Sequence, residues 1–273
     1  MRNLATLAIV GLALICAPAS ADPVAKPPTD KWIVDFDDAQ CIAMRNYGSS
    51  DSPLFLVFKQ PVLGDVMQLS IVRRGTGGRF AERHGASISW DGGKSIWTTA
   101  VSSADATSRN VILQMNLDRP TFSQLSQAKI FHLRVNGQID ASFQLAQMDD
   151  VLKILDQCVV DLDRVWNVAP KGTTSPQLQR PSQGTLQGIF RPDDYPSVAA
   201  NGDQSGTVSF ALLIDEAGKV ADCTVIKTSG IAALDAQSCF VVKERAHFTP
   251  AIGADGRPAK DARTASVTWL MAN

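Results

Sequence analysis

From Gly206 to Ile214 apolar and polar positions alternate: Val208, Phe210, Leu212 and Ile214 are interleaved with Thr207, Ser209, Ala211 and Leu213. That period predicts a strand with one strongly apolar face. Asp215-Glu216-Ala217-Gly218 interrupts it with turn-forming residues, after which Val220, Cys223, Val225 and Ile226 resume an apolar run that can return as the second arm of a hairpin. Beyond Thr228-Ser229-Gly230 the period lengthens. Leu234, Ser238, Val241, Val242 and Ala246 share one helical arc, with Cys239 at its edge and Phe240 off it, so a helix covers the hairpin. Ser266 to Met271 supplies a third strand. Residues 189–273 are therefore expected to form a ββαβ domain with exposed sheet edges.

The earlier part of the chain reads differently. Short apolar runs at Trp32–Val34, Leu54–Lys59, Val66–Val72, Ser95–Val101, Val111–Leu117, Ile130–Val135 and Ile139–Leu145 are separated by turn signals, among them Gly75-Thr76-Gly77-Gly78, Asp91-Gly92-Gly93 and Asn136-Gly137. Such spacing predicts a β-sandwich or barrel-like domain over 32–167. One helix closes it: Asp149 is placed to cap, and Val151, Leu152, Ile154, Leu155, Cys158, Val159, Leu162, Val165 and Trp166 fall on one broad stripe. Residues 168–188 are rich in Pro, Gly, Ser, Thr and Gln and read as a flexible linker, which as a coil of about 20 residues averages roughly 25 Å end to end. The fold class is α+β: a mainly-β, sandwich-like domain with its closing helix, a linker, and the ββαβ domain.

Residues 1–21 carry Arg2, an apolar run from Leu4 to Cys16, and the small-x-small ending Ala19-Ser20-Ala21 of a cleavable export signal. The run is shorter than the about 20 apolar residues of a membrane span. The mature chain is expected to begin near Asp22, with no membrane span, in the periplasm, and to open on a polar tail reaching Lys31. Ala13-Leu14-Ile15 lacks the small residue that would mark Cys16 for lipidation. The net charge of −1, with no long block of either sign, argues against a nucleic-acid partner or an anionic lipid surface. Of the five cysteines, Cys41, Cys158, Cys223 and Cys239 lie in the mature chain, and an even number in an exported protein points to disulfides. Cys223 on a strand and Cys239 on the helix above it make one pair. Cys41 and Cys158 then close the N-terminal domain, and cross-domain pairing ranks below this.

Candidate chemistry is sparse. His84, beside Arg83 in a Gly-bounded loop, His132 in a strand and His247 at a helix end sit singly, with no cysteine or second histidine at ligand spacing. No Gly-x-Ser-x-Gly elbow, phosphate loop or dinucleotide fingerprint occurs. Asp37-Asp38, Asp149-Asp150 and Asp193-Asp194 read as solvated or capping carboxylates. Arg73, Arg74, Arg79 and Arg83 flank a Gly-rich loop that could hold an anion. No catalytic residue, metal site or cofactor is assigned.

Tyr195-Pro196, Gly206 opening a strand, Gly218-Lys219-Val220, Ser229-Gly230, Leu234-Asp235 and the run from Arg245 to Ala251 occur in that order, and this series resembles the C-terminal domain of the TonB family of energy transducers. The resemblance covers the last third of the chain. It implies a non-catalytic module that grips an extended peptide by adding a strand to its sheet, with an outer-membrane TonB-dependent receptor or a second copy of the domain as partner. Carried over residue by residue, it places Tyr195 and Pro196 near the contact, with Val267 and Trp269 on the third strand. Core packing is the alternative role for Trp269. The family's anchoring helix and long Pro-rich spacer are not recognised in this sequence. In the first domain an early Trp, a Cys on an early strand and a Cys on the closing helix are similar to small exported β-sandwich proteins of the invasion-associated type. The alternative reading is an exported enzyme or envelope structural protein whose activity resides in this first domain, near Arg73, Arg79 and His84.

Overall fold

A computed structural model describes residues 23–76, 81–105, 109–169, 175 and 177–271. The export signal with Cys16, and Gly77, Gly78 and Arg79 of the Gly-rich loop, lie outside the described residues. The first strands are β1 (Ile33–Phe36), β2 (Cys41–Asn46), β3 (Leu54–Gln60), β4 (Val66–Arg74), β5 (Glu82–Trp90), β6 (Ile96–Asp105), β7 (Asn110–Asp118), β8 (Ile130–Val135) and β9 (Ile139–Gln144). Among the described residues they form one antiparallel nine-stranded sheet, ordered β1-β2-β3-β4-β7-β6-β5-β8-β9. The sheet curls until its ends meet. Tyr47 Oη donates to the Gln144 carbonyl at 3.0 Å, the Tyr47 and Phe143 rings lie 5.0 Å apart, and Lys26 N donates to the Ser142 carbonyl at 2.8 Å. The N-terminal domain is thus a single curled sheet rather than two stacked ones.

Strands β2 and β5 escape the hydropathy pattern. The inward positions of β2 hold Cys41, Ala43 and Arg45, whose small or charged side chains do not register as apolar alternation although all three are buried. In β5 the stretch Glu82-Arg83-His84-Gly85 is polar on both faces and is held by pairing with β6, so His84 sits in a strand and not in a loop. Backbone pairing overrides side-chain pattern here.

Helix α1 (Arg119–Ser123), capped by Asp118 accepting from Thr121 N at 2.7 Å, follows the central strand β7, and α2 (Met148–Val165) follows the edge strand β9. Asp149 does not cap α2. Gln147 occupies the cap position in the left-handed region (φ 63°), and Asp149 lies in the first turn, paired to Lys153 at 2.6 Å. There its charge still favours the helix dipole. The buried stripe is Met148, Val151, Leu155, Cys158, Leu162 and Trp166, narrower than the pattern suggests, because Ile154 and Val165 face solvent. Cys158 bonds to Cys41, and Trp166 Nε1 donates to the Asp38 carbonyl at 2.7 Å.

The C-terminal half comprises β10 (Leu178–Arg180), α3 (Ser197–Ala200), β11 (Gly206–Ile214), β12 (Val220–Lys227), α4 (Ala232–Arg245), β13 (Ala251–Gly253), β14 (Pro258–Ala259) and β15 (Asp261–Trp269). The main sheet is ordered β12-β11-β15, with α4 joined to β12 by the Cys223–Cys239 disulfide. Strand β15 starts five residues before the expected Ser266, since the polar run from Asp261 pairs with Ile214 through Phe210 by backbone alone. Leu178–Arg180 pairs with β13, so this part of the Pro- and Gly-rich stretch is bound to the C-terminal domain.

The two halves are docked. Leu213 and Ala262, on the face of the sheet opposite α4, pack into the N-terminal core; Asn116 Nδ2 donates to the Val225 carbonyl at 3.4 Å; Lys59 approaches Asp222 at 3.9 Å; and the Lys260 ammonium sits 4.8 Å above the Trp166 ring. Leu213, on the more polar side of the alternation, is buried by this contact.

Candidate functional site

The residues of the ordered series hold the turns and segments around one sheet. Gly206 opens β11 where a Cβ would come within 2.9 Å of Ser229 Cβ, so the strand and the Ser229-Gly230 turn can touch only without a side chain. Gly218 (φ 79°) lies under Phe248, whose carbonyl would be 1.9 Å from a Cβ, and Phe248 N donates back to the Gly218 carbonyl at 2.8 Å. Asp235 is buried in the first turn of α4 and accepts from Ser229 N and Ser229 Oγ, each at 2.8 Å, and from Thr228 Oγ1. This fixes the turn that leads into the helix.

Asp194, read from the sequence as a solvated or capping carboxylate, caps the turn at Arg191 and is buried rather than solvated. It accepts both guanidinium nitrogens of Arg245, at 2.6 and 2.8 Å, and the Arg191 amide at 2.7 Å. Arg245 also donates to the Ile189 carbonyl at 3.1 Å. This bidentate pair clamps the segment from Ile189 to Asp194 onto the end of α4. Tyr195 follows directly: its ring stands edge-on to Trp269 at 5.3 Å and its hydroxyl donates to the Gln204 carbonyl. Phe190 meets the same indole at 5.3 Å. Trp269 is 5 % exposed and its Nε1 donates to Ser238 Oγ at 2.9 Å, so it forms the floor beneath the Tyr-Pro segment. Pro196, half-buried, precedes α3, and Val267 packs half-buried against the same core.

Arginine holds the Asp194 carboxyl below its ordinary value, chiefly by the side-chain hydrogen bonds. A depressed carboxyl contributes stability that is present above the ordinary carboxylate pKa and is lost as pH falls through the folded one. Arg245→Gln is therefore expected to lower the thermal midpoint by several degrees at neutral pH, with the gap to the parent closing below about pH 4. A gap that does not narrow as the pH is lowered from neutral into the acid range in scanning calorimetry would show that Arg245 acts through packing instead.

Beside the clamp lies a groove of about 390 Å³ between the free edge of β15, from Arg263 to Thr268, and the segment Gly184–Gln187 with Phe190. Asp261 holds the far wall by accepting from Ser182 N at 2.8 Å and Ser182 Oγ at 2.6 Å. Among the described residues β15 pairs with β11 alone. Thr207 and Thr268 touch through their hydroxyls at 3.0 Å, as do Ser209 and Ser266 at 2.9 Å, the close approach typical of pairs that do not exchange backbone bonds. Met271 N, of opposite parity, points inward to Ser205 Oγ at 3.2 Å. The amides at Thr264, Ser266 and Thr268 thus face outward.

The residues of the alternative site that are described each have local partners. Arg73 donates to Gln138 Oε1 at 3.1 Å, Arg83 to the Gly230 carbonyl, and His84 Nε2 lies 2.8 Å from Ser102 Oγ; Arg79 is outside the described residues. His132 lies 3.2 Å from Asp140 on the neighbouring strand, and His247 Nδ1 is 3.2 Å from the Arg245 carbonyl just past α4. Among the described residues no helix is long and apolar enough to cross a membrane.

Residues 191–269 match the family model of the Gram-negative bacterial TonB protein C-terminal domain. No curated protein matches the chain. The matched span begins at the Asp194 clamp and ends on Trp269, and domains of this family interact with proteins.

Proposed function

We propose that this chain is an exported periplasmic, non-catalytic binding protein whose C-terminal domain recognises an extended peptide, in a setting linked to outer-membrane transport. The observation that carries this reading is the open edge of β15, with three outward amides above a groove. An incoming strand would take its affinity from main-chain bonds to those amides and its selectivity from alternate side chains meeting Phe190, Val267 and Tyr195. A TonB-dependent receptor segment fits this mode. Self-pairing of two β15 edges is the variant of the same mode.

The test uses the whole mature chain, since a fragment starting at residue 188 would remove β10 and Ser182. Titration with extended receptor-derived peptides should shift the backbone NMR signals from Arg263 to Thr268. Thr268→Pro removes one outward donor while sparing the bonds to β11, and should weaken binding by about tenfold or more without loss of fold. No change along β15 with any such peptide, and no self-association at high concentration, would end this reading.

A further inference from the structure

A second cavity, of about 520 Å³, lies between the two domains, a size and position common for small-molecule sites. It opens because the sheet splits. Strand β7 pairs with β4 along its whole length, Val66↔Asp118 to Arg74↔Asn110, but with β6 only from Val101↔Gln114 to Asp105↔Asn110. Thr98 to Ala100 of β6 therefore diverge from Met115 and Asn116 of β7, leaving strand edges unpaired on both banks of the gap. Helix α4 covers it with the small side chains of Ala232 and Ala236.

The lining is polar and incompletely matched. Lys59, Gln68 and Asn116 are cross-strand neighbours in one row across β3, β4 and β7. The docked C-terminal domain leaves Gln68 only 5 % exposed. The side-chain amides of Gln68 and Gln114 have no hydrogen bond among the described residues, and Asn116 Oδ1 is buried without a partner. A buried polar atom such as Asn116 Oδ1 ordinarily finds one. Among the described residues Lys59 makes no side-chain hydrogen bond and meets Asp222 at 3.9 Å, and burial pushes its pKa down. An anion beside it would offset that cost. Asp235, the one carboxylate among the described lining residues, is already engaged by Thr228 and Ser229.

We propose that this interdomain cavity binds a short peptide ending in a free carboxylate. The carboxylate lies at Lys59, the peptide amides answer Gln68, Gln114 and Asn116 Oδ1, and the main chain runs along the open edge of β6. The unpaired strand edge is what favours a peptide over a sugar, because only a peptide offers a complementary main chain.

Calorimetric and NMR titration of the full mature chain with trialanine, triglycine and Ala-Gln-Ala, each as free acid and as C-terminal amide, tests this. At least one free acid should shift the amides of Thr98, Thr99 and Thr224 and bind about tenfold more tightly than its amide form. Lys59→Met should erase that preference. The substitution leaves Asp222 beside Lys243 at 4.0 Å, and thermal unfolding checks the fold. Ala236→Trp, which fills the cavity from the exposed side of α4, should abolish binding, whereas Thr268→Pro should leave it unchanged and so separates this site from the β15 groove. Equal binding of acid and amide, parental binding in both Lys59→Met and Ala236→Trp, a preference for glucose over every peptide, or no shift at Thr98, Thr99 and Thr224 with any peptide at millimolar concentration would each overturn the proposal.

Discussion

A chain carrying Cys41→Ala and Cys158→Ala is expected to lose about 4 to 5 kcal/mol of stability in its N-terminal domain. The bridge joins residues 117 apart and closes a loop that holds almost the entire curled sheet, so its removal frees most of that domain in the unfolded state. The native side loses little by comparison. Both sulfurs are buried, and alanine leaves a small apolar gap rather than an orphaned polar atom. Guanidinium titration of the double variant beside the parent, without reductant so that Cys223–Cys239 stays closed in both, measures the effect. A loss below about 2 kcal/mol would mean that the unbridged unfolded chain retains much of its compactness. The Cys223–Cys239 bridge, across a separation of 16, should contribute about 3 kcal/mol by the same reasoning.

Trp269→Ala is expected to destabilise the C-terminal domain by about 3 to 5 kcal/mol, the range for deleting a buried indole. Phe190 and Tyr195 both rest edge-on against this ring, so the variant also withdraws support from the segment that the Asp194 clamp brings in. Trp269→Phe keeps a ring for both neighbours and gives up the bond to Ser238, whose hydroxyl still donates to the Leu234 carbonyl at 2.7 Å, at a cost of about 1 kcal/mol. Comparing peptide binding in the two variants separates support from contact. If the Phe variant binds as the parent does and the Ala variant does not, Trp269 acts by holding Tyr195 in place. Equal stability of Trp269→Ala and parent would contradict its place in the core.

How much of this was legible follows from where side chains carry the information. The hairpin of β11 and β12, helix α4 and both disulfide pairings rest on apolar periodicity and on cysteines at defined places along it, and all are present in the structure. The first halves of β5 and β15 are held by main-chain pairing at positions occupied by Glu, Arg, His, Gly, Asp, Thr and Ala, which no hydropathy pattern marks, and the inward row of β2 ends on Arg45. Asp194 was legible as an acidic residue before Tyr195-Pro196, but its burial depends on Arg245, 51 positions away. Local turn chemistry cannot reveal such a partner. The interdomain cavity was hidden for a related reason: Gln68, Gln114 and Asn116 occupy the outward positions of a half-buried sheet and look solvated until a second domain covers them.

Docking of the two halves also sets a limit on stoichiometry. The strand order β12-β11-β15 leaves two flanks, and β12 is the one turned toward the N-terminal domain, with its Val225 carbonyl engaged by Asn116 and Ile226 against Gly64. A sheet open on both sides can propagate, each added strand offering a fresh template to the next. Here one end is plugged by the protein's own other half. Two molecules that pair through their β15 edges would therefore have no free flank left, and would close as a dimer about a two-fold axis with no filament.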